Sequence, residues 1–143
     1  MILKDAEALA HQLMSDHGLS EWHFEFDRAV RRFGFCMHRA RTITLSKKFT
    51  LLNPEPEVRN TILHEIAHVL VGPNHGHGKV WRAKATELGS NGSRCCDRSV
   101  VAPSTKWIAE CPGCRSVVRR HRRRIASCRQ CSGGSFNPRY QLH

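Results

Sequence analysis

The sequence predicts an α+β fold followed by a small metal-stabilised appendage. Three features lead there. Helical, then alternating, then helical hydrophobic periodicities succeed one another along residues 1–88. His64-Glu65-Ile66-Ala67-His68 places two histidines four residues apart on a helical segment. Two Cys-x-x-Cys pairs follow in the last 35 residues.

Ile2, Leu3, Ala6, Leu9, Ala10, Leu13 and Met14 recur at helical spacing up to Gly18 and predict the first helix. Asp5 and Glu7 interrupt any signal-peptide pattern, and no apolar run is long enough to span a bilayer. Strand-like runs follow at Trp22–Phe26, Phe33–His38 and Thr42–Leu45, with arginines at the intervening turns. The last of these is expected at a sheet edge, where an extended substrate could add main chain to main chain. A second helix is predicted from Asn53 as N-cap and Pro54 in the first turn, with Glu55 and Glu57 at its positive end. Its apolar stripe is Val58, Ile62, Ile66 and Val69, and Gly72-Pro73 stops it. Another helix is expected over residues 79–88, around Trp81, Ala85 and Leu88. Cys36 reads as a buried hydrophobe. Adjacent Cys95 and Cys96 follow a Gly/Ser-rich connector and have no assigned role.

His64 and His68 lie off the apolar stripe, so the core does not need them as packing. One helical turn apart, they can point two imidazoles at one ion, with Glu65 beside them to take a proton from water. A solvated helix face is the bland alternative. A catalytic zinc has three protein ligands and an open position. The spacing HExxHxxGxxH fails here, because Val71 and Asn74 stand where Gly and His are required. His75, His77 and Glu87 remain as third-ligand candidates. His77 is favoured because Gly76 and Gly78 let the backbone turn its ring toward the helix.

Cys111, Cys114, Cys128 and Cys131 form two knuckles 13 residues apart, suited to a structural zinc ribbon. Ser116–Val118 and Ile125–Ser127 are expected to be the strands of the intervening hairpin. Two disulfides are the alternative, disfavoured in a reducing compartment. Iron is an alternative metal for the ribbon.

His64-Glu65-Ile66-Ala67-His68, a short loop and then His77-Gly78-Lys79-Val80-Trp81 resemble the SprT-like metalloprotease family, which includes bacterial SprT proteins and the eukaryotic Spartan proteases that cut DNA-crosslinked proteins. The short loop is closer to the bacterial forms, and a terminal ribbon is common in the family. The resemblance implies a zincin-like domain over residues 1–105 and a ribbon over 106–143. It implies His64, His68 and His77 as ligands of a catalytic Zn2+, Glu65 as general base, and a second, structural Zn2+ in the ribbon.

The 143-residue chain has formal net charge +11. Residues 106–143 carry nine Lys/Arg against one acid, whereas 1–105 carry fourteen against eleven. The run Arg119-Arg120-His121-Arg122-Arg123-Arg124, with Arg115 and Arg129, is expected to contact nucleic-acid phosphates, which reads little sequence. Trp107, Phe136 and Tyr140 either stack on bases or pack the ribbon. The expected function is a cytoplasmic or nucleoid-associated zinc endopeptidase (in the host cytoplasm if the chain is from a phage). Its expected partners are single- or double-stranded DNA and protein substrates, with no membrane. The alternatives are a non-catalytic nucleic-acid-binding protein on a zincin scaffold, and a metal hydrolase of non-protein substrates.

Overall fold

Leu3–Asp16 forms helix α1, and Ala6, Ala10, Leu13 and Met14 are the face it buries. Three short strands follow: β1 (His23–Asp27), β2 (Gly34–Met37) and β3 (Thr42–Ser46). Then come helix α2 (Lys47–Leu52), the long helix α3 (Glu55–Val71) and helix α4 (Lys79–Leu88). The computed structural model describes residues 1–95 and 98–143, so Cys96 lies outside the described residues. These divide into two units, Met1–Pro103 and Ser104–His143.

The sheet order is β1-β3-β2, with β3 parallel to β1 and antiparallel to β2. The last strand before the long helix is therefore the centre of the sheet and not its edge. All five residues of β3 are buried. Thr44 Oγ1 donates to Asp27 at 2.6 Å and Ser46 Oγ to the Ala29 carbonyl at 2.6 Å, so this strand can hold hydroxyls in the interior. The edge beside α3 is β2 instead.

The core joins Ala6, Ala10 and Leu13 of α1, Phe24, Ile43 and Leu45 of the sheet, and Val58, Ile62 and Ile66 of α3 in one cluster. Three of the four residues in the predicted α3 stripe are fully buried, and Val69 packs against the cluster. Burial of that stripe holds the helix; Gly72, at φ +86°, ends it. A smaller cluster of Ala67, Trp81 and Ala85 fastens α4 onto α3.

Helix α2 was not expected from periodicity, since six residues are too few to show a stripe. Ser46 starts it by accepting from the Phe49 N–H at 3.3 Å. Its presence shifts the expected cap of the long helix. Pro54, not Asn53, is the N-cap of α3, and Asn53 ends α2. Asn53 is almost fully buried. Its Nδ2 donates to the carbonyls of Phe49 and Val101 at 2.8 Å each, and its Oδ1 accepts from Val101 N–H at 2.7 Å. One side chain thus ties the segment after α4 back to the start of α3.

In the second unit, β4 (Trp107–Glu110) pairs antiparallel with β5 (Val117–Arg120). The expected hairpin between the cysteine pairs is thus replaced. The first knuckle, Cys111–Cys114, is itself the connection between paired strands, while Ser127 bridges to Gln141 near the C-terminus. Arg119 and Arg120 belong to β5, and Arg122–Arg124 to the loop beyond it. A four-residue helix α5 (Arg129–Ser132) carries the second knuckle. The ribbon buries only Cys111, Cys128 and Leu142, with Val118, Cys131 and Tyr140 packed around them.

Asn53→Ala should destabilise the first unit by roughly 2–3 kcal/mol, because it strips the buried partners from Val101 and Phe49 at once. The urea midpoint checks this; a shift close to zero would mean that water replaces the amide.

Candidate active site

Helix α3 presents His64 and His68 on the face opposite its core stripe, and the loop before α4 returns His77 to them. Nε2 of His77 lies 3.0 Å from that of His64 and 3.1 Å from that of His68. The structure thus brings together the three histidines favoured from sequence. His75 is exposed, and Glu87 pairs with Lys84 at 2.9 Å; neither joins the cluster.

Trp81 forms the wall behind all three rings. Its centroid lies 4.5, 5.2 and 4.6 Å from those of His64, His68 and His77, and it is fully buried. Its indole N–H donates to the His64 carbonyl at 3.3 Å. The Gly78-Lys79-Val80 spacing puts the indole on the first turn of α4, directly after the His77 loop.

Burial pushes His64 down to about 3, helped by His68 and His77, against a hydrogen bond to the Ser93 backbone. Burial likewise lowers His68 to about 4, with His77 and His38 adding to it, and lowers His77, with Arg94 adding to it. All three are therefore neutral near pH 7, the form in which imidazole binds a metal. Neutral rings whose Nε2 atoms converge can turn three lone pairs toward a single cation. A tetrahedral zinc with bonds of about 2.1 Å needs nitrogens about 3.4 Å apart, close to the spacing found. The donor set fits zinc.

Glu65 is buried on the same helix, and burial pushes its carboxyl up to about 8, with Arg32 pulling the other way. Strand β2 packs directly against it. A Cβ on Gly34 would stand 2.9 Å from Glu65 Oε1, 2.9 Å from Thr61 Cγ2 and 3.1 Å from Glu65 Cγ. Gly34 is a functional position that sequence reading missed. Its only signal was a glycine inside a strand pattern, which often marks close approach.

A cleft of about 680 Å³ is lined by the three histidines and Glu65, by residues 31–36 and His38, and by residues 93–95 with Val100 and Ala102. Cys36 lines this cleft and is not the buried hydrophobe expected from its strand. Burial and Glu65 push the Cys36 thiol up to about 12. Cys95 is exposed and also lines the cleft.

In the ribbon, Cys111 Sγ lies 3.8 Å from Cys131 Sγ and Cys114 Sγ 3.7 Å from Cys128 Sγ, with all four mutually close and none in a disulfide. A tetrahedron with metal–sulfur bonds of about 2.3 Å has edges of about 3.8 Å, so these thiols also fit one zinc. Hydrogen bonds from Ser116 push Cys114 down to about 6, toward the thiolate a metal needs. Of the seven arginines expected to contact nucleic acid, Arg115 pairs with Glu110 at 2.7 Å. Arg119 and Arg120 lie along β5, Arg122, Arg123 and Arg124 in the loop after it, and Arg129 in α5. Arg123 lies 5.9 Å from the centre of the Trp107 ring. Tyr140 packs within the ribbon, while Trp107 and Phe136 are exposed.

A mixed α+β domain with a three-histidine cluster beside a buried glutamate, followed by a four-cysteine cluster, defines a metal-binding protein with one site open to a cleft. The family model for SprT-like proteins matches residues 4–101, and the chain belongs to the SprT-like family. Its fold is similar to that of the metallopeptidase zymogen of Methanocaldococcus jannaschii, jannalysin. That likeness has a TM-score of 0.52 at 16% identity, covering 60% of this chain and 83% of that one. No curated protein matches the sequence.

The shifts predict a stability maximum for the metal-free first unit. Glu65, raised in the folded state, contributes stability that is present below its unfolded value of 4.5 and lost as pH rises through about 8. His64 and His68, lowered in the folded state, act oppositely. The unfolded chain takes up their protons below 6.5 while the folded chain does not until about 3 to 4, so stability falls with pH across that window. The urea midpoint of metal-free Trp107→Phe chain, read by Trp22 and Trp81, should peak near pH 6.5 and drop toward both pH 8 and pH 5. A monotonic trend would contradict the assignment.

Proposed function

We propose that the chain is a zinc-dependent endopeptidase that acts on proteins held on DNA, with one Zn2+ at His64, His68 and His77 and a second in the ribbon. The observation that carries the reading is the convergence of three neutral imidazoles that line an open cleft together with the Glu65 carboxyl. A closed structural site has no use for a buried carboxylate at its margin, and it leaves no room for substrate. Membership of the SprT-like family supports the peptidase class.

Zn2+ bound there would polarise the scissile carbonyl and lower the pKa of a water molecule. Glu65 accepts the proton of the attacking water and passes it to the departing amine nitrogen. Its burial suits both halves of that task. A carboxylate held out of water has a raised proton affinity, and the cleft gives it one face open to the reacting atoms. Trp81 and the Ser93 backbone hold the imidazoles in orientation. Gly34 lets β2 approach closely enough to fix the carboxylate. The free edge of β2 offers its main chain to an extended substrate, which favours unfolded segments over any one side-chain sequence.

The ribbon's arginines supply the DNA attachment. A sparsely acidic unit with Arg119, Arg120 and Arg122–Arg124 together gains by releasing counterions from phosphates. Proteins bound to the same DNA then meet the cleft at raised effective concentration.

Cleavage of a DNA-binding protein by the zinc-loaded chain should require Glu65 and increase with DNA. Glu65→Gln should keep zinc and lose about 10²–10⁴-fold in rate. Equal rates for this variant and the parent would remove Glu65 from the mechanism. DNA binding without cleavage under any condition would favour a non-catalytic nucleic-acid-binding protein. Gly34→Ala should keep zinc content and lower kcat about 10–100-fold by displacing the Glu65 carboxylate. An unchanged kcat would show that the carboxylate moves freely.

A further inference from the structure

The charged lining of the cleft is mostly basic. It holds Arg31, Arg32 and Arg94, and Glu65 is its only acid among the described residues. Glu65 is committed to proton transfer on the reading above, so it does not offset the arginines. These come from two separate segments of the chain. Arg31 and Arg32 precede β2, and Arg32 is near enough to Glu65 to pull its proton affinity down. Arg94 belongs to the segment after α4 and is near enough to His77 to lower it.

The arginines differ in how free they are. Arg32 pairs with Asp27 at 3.0 Å and lies over the Phe35 ring at 4.8 Å, so it is held in place and partly neutralised. Arg31 and Arg94 are exposed and make no ion pair among the described residues. Both line the cleft, where charges unpaired among the described residues gain nothing structurally. The same lining includes the apolar side chains Phe33, Phe49, Val100 and Ala102. Apolar lining together with such arginines suits an extended peptide that buries an apolar side chain and carries carboxylates beside it.

Resting on the peptidase reading above, we infer that this cleft selects protein segments with Asp or Glu flanking the scissile bond, through Arg31 before β2 and Arg94 after α4. The preference works by charge complementarity, so it weakens with salt. It also disfavours lysine-rich segments by like-charge repulsion. Nucleic acid shares the anionic character. The apolar lining and the edge strand favour a peptide.

The test compares three fluorogenic peptides with one apolar core, flanked by Glu, by Gln or by Lys, cleaved by the zinc-loaded full chain. At low salt kcat/KM should rank Glu over Gln over Lys, with Glu and Lys differing about tenfold or more. The double reversal R31E/R94E should invert the Glu-to-Lys ratio, which is read within one variant and so is insensitive to any general loss. The same peptides are measured by fluorescence anisotropy on the Glu65→Gln chain with and without the reversal. No cleavage of any peptide, with acidic binding preferred and inverted by R31E/R94E, would sink the peptidase reading and leave the cleft preference standing. Equal binding of all three peptides, or a ranking that survives the reversal, would overturn the inference. If R31E/R94E weakens a single-stranded oligonucleotide and leaves the peptide ranking alone, the arginines belong to nucleic acid and the inference is likewise overturned.

Discussion

Three converging ring nitrogens, with that of His77 3.0 and 3.1 Å from those of His64 and His68, are the constraint around which the first unit is organised. Without a cation their lone pairs are poorly matched, so packing must bring them together. Helix α3 supplies two of them because positions four apart share a face. The same helix can do this only because its other face is anchored: Val58, Ile62 and Ile66 are all fully buried against α1 and the sheet. The third nitrogen needs a return loop and a fixed second helix. Trp81 provides both, packing against all three rings while its cluster with Ala67 and Ala85 locks α4 to α3.

The glutamate is governed by a different neighbour. On a bare helix, the residue after His64 would point partly into solvent. Here β2 closes over it, and the absence of a side chain at Gly34 decides how closely. Burial raises its proton affinity, and Arg32, itself restrained by Asp27, limits the rise. Strand placement, helix register and one ion pair therefore act together on a single carboxyl. The segment after α4 completes the cleft, and it stays in place because Asn53 grips Val101 and Asn60 accepts from Ser90 and Asn91.

What was readable in the sequence follows the strength of local signals. Helices α1, α3 and α4 and all three strands of the sheet were visible because each carries a period long enough to count. The histidine set was readable because two ligands share one helix and glycines flank the third. Strand order was not readable. β3 alternates like an edge strand in Thr42-Ile43-Thr44-Leu45, yet its threonines are buried, because Asp27 and the Ala40 carbonyl accept from their hydroxyls. Nothing local to β3 announces the Asp27 acceptor, which comes from the end of β1. The ribbon pairing was misread for a similar reason. The basic stretch between the knuckles looked like a hairpin tip, but the partner of Val117–Arg120 lies before the first knuckle, at Trp107–Glu110. A knuckle is itself a tight turn, so the strands on either side of it pair most readily.

The two metal clusters divide the work by their openness. The histidine site leaves a face toward a cleft, whereas the cysteine site is closed by its own four sulfurs. That closure also answers an electrostatic problem. The ribbon concentrates most of the chain's net charge in a unit that buries three residues, too few to offset the repulsion among its arginines. Four thiolates around one divalent zinc would carry a formal charge of about −2, placed at the base of the hairpin that bears those arginines. A metal held there would do more than close the fold. It would set negative charge beneath a positive surface and let arginines crowd one edge. Its loss would release both the knuckles and the counter-charge, so folding of the ribbon and presentation of its basic face would rise and fall together.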